Sequence, residues 1–245
     1  MPLLNELRQE EFNRIRKFIH PGDQVLEVGG GTGYQAQLIV TTGAHVDSID
    51  VAPPPKARET YYPVTLYNGR DIPFPDGRFD VVFSSNVLEH VLHPTDLLAE
   101  IRRVLKDGGL AIHVLPTPTW RLWTSLARYP HLVRRIVRAG AKGTAAIAMA
   151  AEAAEVRPAF WRRLRRALWD GPHGEYPTAV SELWYFSRRR WERVFRENGF
   201  DILEAEPAHL FYSGYTIFPG MGLTARRKLA ALLGSSTRCF VMRKQ

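Results

Sequence analysis

Three glycines at alternate positions, Gly29, Gly31 and Gly33, stand between the apolar run Gln24–Val28 and a segment that begins at Tyr34. Glycine admits positive φ and lets a ligand approach the main chain closely, so such a loop can seat a nucleotide-like group. The spacing is not that of the dinucleotide fingerprint, which asks for Gly or Ala where Tyr34 stands. No Lys followed by Ser or Thr completes a phosphate loop either. Asp50 ends the next apolar run, with Val51 beside it. A carboxylate there can accept both hydroxyls of a ribose, or merely cap the turn into the proline run. After a third run comes Asp71-Ile72-Pro73-Phe74. Asp71 can accept from an adenine amino group, with Ile72 flanking the ring.

Two histidines have the chemistry of a general base near neutral pH. His90 closes Asn86-Val-Leu-Glu-His90, directly after a fourth apolar run. His173 precedes Glu175 and the aromatics Trp184, Tyr185 and Phe186, so His173 and Glu175 can act as base and orienting carboxylate. Gly171–Gly174 also has the composition of a turn. Of the two, His173 is the slightly preferred base. Glu182 either binds substrate or pairs with an arginine.

These residues need elements to hold them. Leu4, Leu7, Ile15, Phe18 and Ile19 recur at helical spacing over Leu3–Ile19. Strands are expected at Gln24–Val28, Ala44–Ile49, Pro63–Tyr67, Phe79–Ser84 and Leu110–Leu115. Helices fall at Tyr34–Thr42 and Pro94–Leu105, the latter terminated by Gly108-Gly109. Pro53-Pro54-Pro55 excludes a regular helix start after the second strand. Past residue 178, Ser187–Asn198 reads as a helix packed through Trp191, Val194 and Phe195, and Phe200–Glu204 and Thr237–Arg243 as closing strands. Strand and helix alternate through the first 115 residues, which predicts an α/β, Rossmann-like, doubly wound sheet.

The ordered set Val25–Gly33, Asp50, Asp71–Phe74, Phe79–Ser84, Asn86–Val91 and Leu105–Leu110 resembles the class I S-adenosylmethionine-dependent methyltransferases, across nearly half the chain. The resemblance implies a mostly parallel seven-stranded sheet whose last strand is antiparallel. It implies that Gly29 and Gly31 pass under the methionine part of the cofactor, and that Glu27 lies near its amino end. Asp50 would hold the ribose, Asp71 and Ile72 would frame the adenine, and backbone near Ser85 and Asn86 would meet the amino group. S-adenosyl-L-methionine is then the cofactor, and no metal is expected.

The 245 residues carry a net charge of +8, and 45% are hydrophobic. That is ordinary globular composition, expected here as one domain over 1–245. One cysteine, Cys239, excludes a disulfide framework and a cysteine-rich zinc site. No apolar run reaches the length needed to span a bilayer. Between Thr117 and Pro172 eleven basic residues face three acidic ones, which accounts for the whole charge excess. A neutral body with one basic segment reads as an inserted helical cap over 117–178, and argues against a protein built around nucleic acid. Its Arg, Trp and Leu fit a lid, or a patch over 120–170 for an anionic membrane surface. The expectation is O-methylation of a small-molecule, glycan or lipid-linked acceptor by a cytoplasmic protein, peripheral at the membrane if the patch operates. An RNA methyltransferase and a non-catalytic S-adenosylmethionine-binding regulator are the alternatives.

Overall fold

The computed structural model describes residues 2–53, 59–126, 179–212 and 220–245. Seven strands form one sheet: β1 (Gln24–Val28), β2 (His45–Asp50), β3 (Thr65–Leu66), β4 (Phe79–Ser85), β5 (Leu105–Pro116), β6 (Phe200–Pro207) and β7 (Thr237–Lys244). Their order is β3-β2-β1-β4-β5-β7-β6. All neighbours are parallel except the two pairs made by β7. The expected doubly wound sheet with one reversed strand is therefore the fold. The chain moves outward from β1 through β2 to β3, then returns to the other side of β1 as β4. Sheets of this kind bind ligands outside the carboxyl ends of the strands at that reversal.

Strand alternation separates two apolar layers. On one face, Phe12 and Ile15 of α1 (Pro2–Ile15) and Leu38 and Ile39 of α2 (Tyr34–Val40) pack with Val25, Val81, Phe83, Ile112 and Val241. On the other, Leu97, Leu98 and Ile101 of α3 (Pro94–Val104) and Trp191 and Phe195 of a later helix (Arg188–Glu197) pack with Leu26, Val82, Ala111 and Phe240. His113 belongs to this second layer. It lies fully buried against Phe195, with Nδ1 2.7 Å from the Ser84 hydroxyl, and burial lowers its imidazole to about 3.

Three details differ from the sequence expectation. β3 is only Thr65–Leu66, because its neighbour β2 offers it two register positions, Ile49 and Asp50. Gly108-Gly109 does not terminate α3. The helix stops at Val104, where Leu105 turns extended and pairs with Phe79. Pairing then jumps from Phe79↔Leu105 to Val81↔Leu110, so the surplus residues bulge out through Gly108 at φ +72°. Finally, a helix at Leu223–Leu233, not expected from the sequence, precedes β7.

After β5 the chain is helical over 118–126 and again at Ala179–Tyr185. These two stretches are the roots of the expected insert. Arg121 and Glu182 join them through an ion pair at 2.7 Å with both side chains buried. Glu182 thus takes the second of its two expected roles. Residues 127–178 lie outside the described residues, and with them His173, Glu175 and most of the basic segment. Pro54 and Pro55 do so too.

A candidate cofactor and acceptor site

The turn out of β1 is shaped by its glycines. Gly29 and Gly30 both donate to the Ile49 carbonyl, at 2.8 and 3.1 Å, which pins the loop to the neighbouring strand. Gly33 caps α2 in the left-handed region at φ +73°, and a β-carbon there would lie 2.4 Å from the Tyr62 carbonyl oxygen. Gly31, at φ +56°, meets nothing within 4 Å and faces open space. Across from it stands Asp50. Its Oδ2 accepts from the Gly31 amide at 2.8 Å, and its Oδ1 from the amides of Val51 and Ala52 at 2.6 and 3.2 Å. The carboxylate is thereby fixed in direction: Oδ1 has both lone-pair sites taken, and Oδ2 keeps one for a further donor.

A cavity of about 420 Å³ opens at this point, in the size range of small-molecule sites. Gly29, Asp50 and Val51 line one side, and Asn86, Val87 and His90 the other, with Tyr67 and Leu97 contributing to the wall. Six of the residues singled out from the sequence therefore converge: Gly29, Asp50, Val51, Asn86 and His90 line the cavity, and Gly31 hangs from Asp50 at its edge. Asp71 and Ile72 are not brought to it. Asp71 is exposed and accepts from the Asn68 amide at 2.8 Å, while Ile72 is buried in the sheet core. Glu27 is also held apart. It is 2% exposed and accepts from the Ser48 hydroxyl at 2.6 Å, and burial pushes its carboxyl up to about 7.

The second wall depends on α1. Arg8 donates through Nη1 to Glu11 at 2.7 Å and to the Ser85 hydroxyl at 2.9 Å. Asn86 sits in the left-handed region at φ 54°, and with its amide oxygen turned to Arg8 it accepts from Nη1 and Nη2 at 2.6 and 3.1 Å. One guanidinium thus holds the strand tip that lines the cavity. Burial weighs most, against the Arg8 charge, but Glu11, Tyr212 and Glu89 together outweigh it and the guanidinium is held above its ordinary value. Glu11 also accepts from Thr237 Oγ1 at 2.7 Å, and burial raises the nearby Tyr212 phenol. Behind Asn86, the short turn Leu88–His90 points Glu89 fully inward, where burial pushes its carboxyl up to about 8, and His90 outward.

Arg8, Glu11, Glu89 and Tyr212 were not among the residues the sequence singled out. One signal was available. Glu11 falls four residues after Leu7 and four before Ile15, so it interrupts the apolar stripe of α1 with an acid, and a buried acid needs a partner.

The methyltransferase domain family matches residues 4–205, and the chain belongs to it. Its fold is that of the class I S-adenosylmethionine-dependent methyltransferases. An uncharacterized methyltransferase of Mycolicibacterium gilvum is 37% identical over 94 residues, 36% of this chain and 37% of that protein. A malonyl-[acyl-carrier protein] O-methyltransferase of Serratia marcescens is 33% identical over 97 residues, 38% of each. The chain thus spans well under half the length of these relatives. An S-adenosylmethionine-dependent methyltransferase structure from Mesorhizobium loti aligns over 96% of this chain and 98% of its own, with TM-score 0.55 and 15% identity.

The cavity fits the cofactor on its own terms. A carboxylate oriented by three amides, with Oδ2 still open, suits a ribose hydroxyl, a bare glycine edge suits an approaching tail, and the Val87 and Leu97 side chains suit a flat ring.

Proposed function

We propose that this chain transfers the methyl group of S-adenosylmethionine to an oxygen of a small-molecule acceptor, glycan and lipid-linked acceptors included. The observation that carries the reading is that His90 lines the same cavity as Asp50 and Gly29. The cofactor supplies a methyl group already activated on a sulfonium and departs as the thioether when the carbon–sulfur bond breaks. Asp50 holds a ribose hydroxyl, and the Gly29–Gly31 edge admits the methionine tail. Asn86, fixed by Arg8, keeps the facing wall in place. His90 takes the hydroxyl proton as the oxygen–carbon bond forms, which is the assistance an alcohol needs and a carboxylate does not. In-line placement of the acceptor supplies much of the remaining acceleration. The O-methyltransferase relative from Serratia marcescens supports oxygen as the methylated atom. Among the described residues no helix is long and apolar enough to cross a membrane.

Labelled methyl transfer into fractionated cell extract tests the reading. Asp50→Ala is expected to weaken S-adenosylhomocysteine binding at least tenfold in calorimetry, from loss of charge-assisted hydrogen bonds of about 1.5–3 kcal/mol. His90→Asn is expected to bind the cofactor normally and lose transfer by about a hundredfold or more. Transfer at the wild-type rate in His90→Asn would remove the base assignment.

A further inference from the structure

We propose that Glu89 is the positioning residue for His90: it accepts the imidazole Nε2–H and so presents Nδ1 to the acceptor. This rests on the reading of His90 as the base.

The turn Leu88–His90 sets the two side chains on opposite sides of one short segment, Glu89 fully buried and His90 at the cavity. The imidazole Nε2 of His90 stands 3.9 Å from Glu89 Oε1. Neither Glu89 oxygen receives a donor from another residue, and only the residue's own backbone amide supports the carboxyl. A wholly buried carboxyl with no donor from another residue is rare in a folded protein and calls for a reason. Arg8 and Glu11 face it from α1, and Tyr212 from the segment after β6. Arg8 directs its guanidinium to Glu11, Ser85 and Asn86. The imidazole edge is about 1 Å beyond hydrogen-bonding distance. Gaps of that size close when a catalytic site is loaded. Once Glu89 is ionised, above about pH 8, and takes the Nε2–H, the lone pair lies on Nδ1, and the imidazolium formed on proton uptake is stabilised by the charge behind it.

The test reads the tautomer directly. Wild-type protein labelled with 15N-histidine and saturated with S-adenosylhomocysteine is examined by long-range NMR at pH 9, above the value of about 8 to which burial raises Glu89. The His90 signals are assigned by their loss in His90→Asn. The expected result is a single Nε2–H tautomer for neutral His90 in the wild type and a tautomer mixture in Glu89→Leu. A mixture or an Nδ1–H ring in the wild type overturns the proposal, whether or not Glu89→Leu folds. So does the same single tautomer in both proteins. The two readings fail separately. Full methyl transfer by His90→Asn would remove the base and the positioning role together. A wrong tautomer with transfer lost in His90→Asn would remove the positioning role alone.

Discussion

Glu27 and Glu89 are both buried acids near the strand tips behind the cavity, yet their surroundings differ. Glu27 stands in β1 with Ser48 as its register partner in β2, and receives the Ser48 hydroxyl at 2.6 Å. Glu89 follows β4 with no donor from another residue on either oxygen. Burial raises both, to about 7 and about 8. Burial therefore does not separate the two; the provision of a donor does. The fold supplies a partner in place for Glu27, as a structural group requires. Glu89 is left without a side-chain donor beside His90, the one imidazole that lines the cavity among the described residues.

The largest break in this comparison comes from the Glu27 side. A β-carbon on Gly30 would lie 2.1 Å from the Ser48 Oγ and 3.0 Å from Glu27 Oε2. Gly30→Ala must therefore push the hydroxyl off the carboxyl. Overpacking and the unpaired acid together are expected to remove about 3 kcal/mol or more in urea unfolding. Gly31→Ala is the control. Its β-carbon meets nothing, so only the strain of a positive φ remains, about 1 kcal/mol.

The next test concerns Glu89 and pH. Its folded value, about 8, lies above the ordinary 4.5, so the folded state holds a proton that the unfolded chain releases. The stabilisation is complete below pH 4.5 and is lost as pH rises through about 8. Across that window this group lowers stability by up to about 1.4 kcal/mol per pH unit. Glu89→Gln cannot ionise and is expected to flatten that decline, so its urea midpoint should overtake the wild type's as pH rises. Parallel profiles for the two proteins would show that Glu89 is not the group responsible.

The same contrast explains what was legible in the sequence. The β1–glycine loop–α2 passage and Asp50 were readable because each is a local pattern: glycines within five residues, an acid at the end of an apolar run. The sheet was readable from apolar runs in order. Asp71 was picked out by its position after the third strand, and it also reads as a turn residue, accepting from the Asn68 amide three residues away. The Gly108-Gly109 pair reads as a helix stop, yet the burial of Leu105 beside Phe79 starts the strand earlier and turns the pair into a bulge. The Arg8 network was out of reach for a different reason. Arg8 meets Ser85 across 77 positions and Glu11 meets Thr237 across 226, and no spacing rule spans such gaps.

The finest test turns one region into the other. Ser48→Ala takes from Glu27 the donor that holds its carboxyl down, leaving chiefly a backbone hydrogen bond at Ala36 to offset burial and the repulsion of Asp50. Its titration midpoint should climb above 7, toward the range of Glu89. Below pH 4.5 the acid is protonated in the folded and unfolded states alike, and losing the hydroxyl removes one neutral hydrogen bond, about 1 kcal/mol. As pH rises through 7 the same hydroxyl in the wild type comes to support a charge, and its removal is expected to cost about 1.5–3 kcal/mol. The deficit of Ser48→Ala in urea unfolding should therefore grow between pH 4.5 and pH 8. A deficit of the same size at both ends would mean that Ser48 fills space rather than holding charge, and Glu27 and Glu89 would then differ in geometry alone.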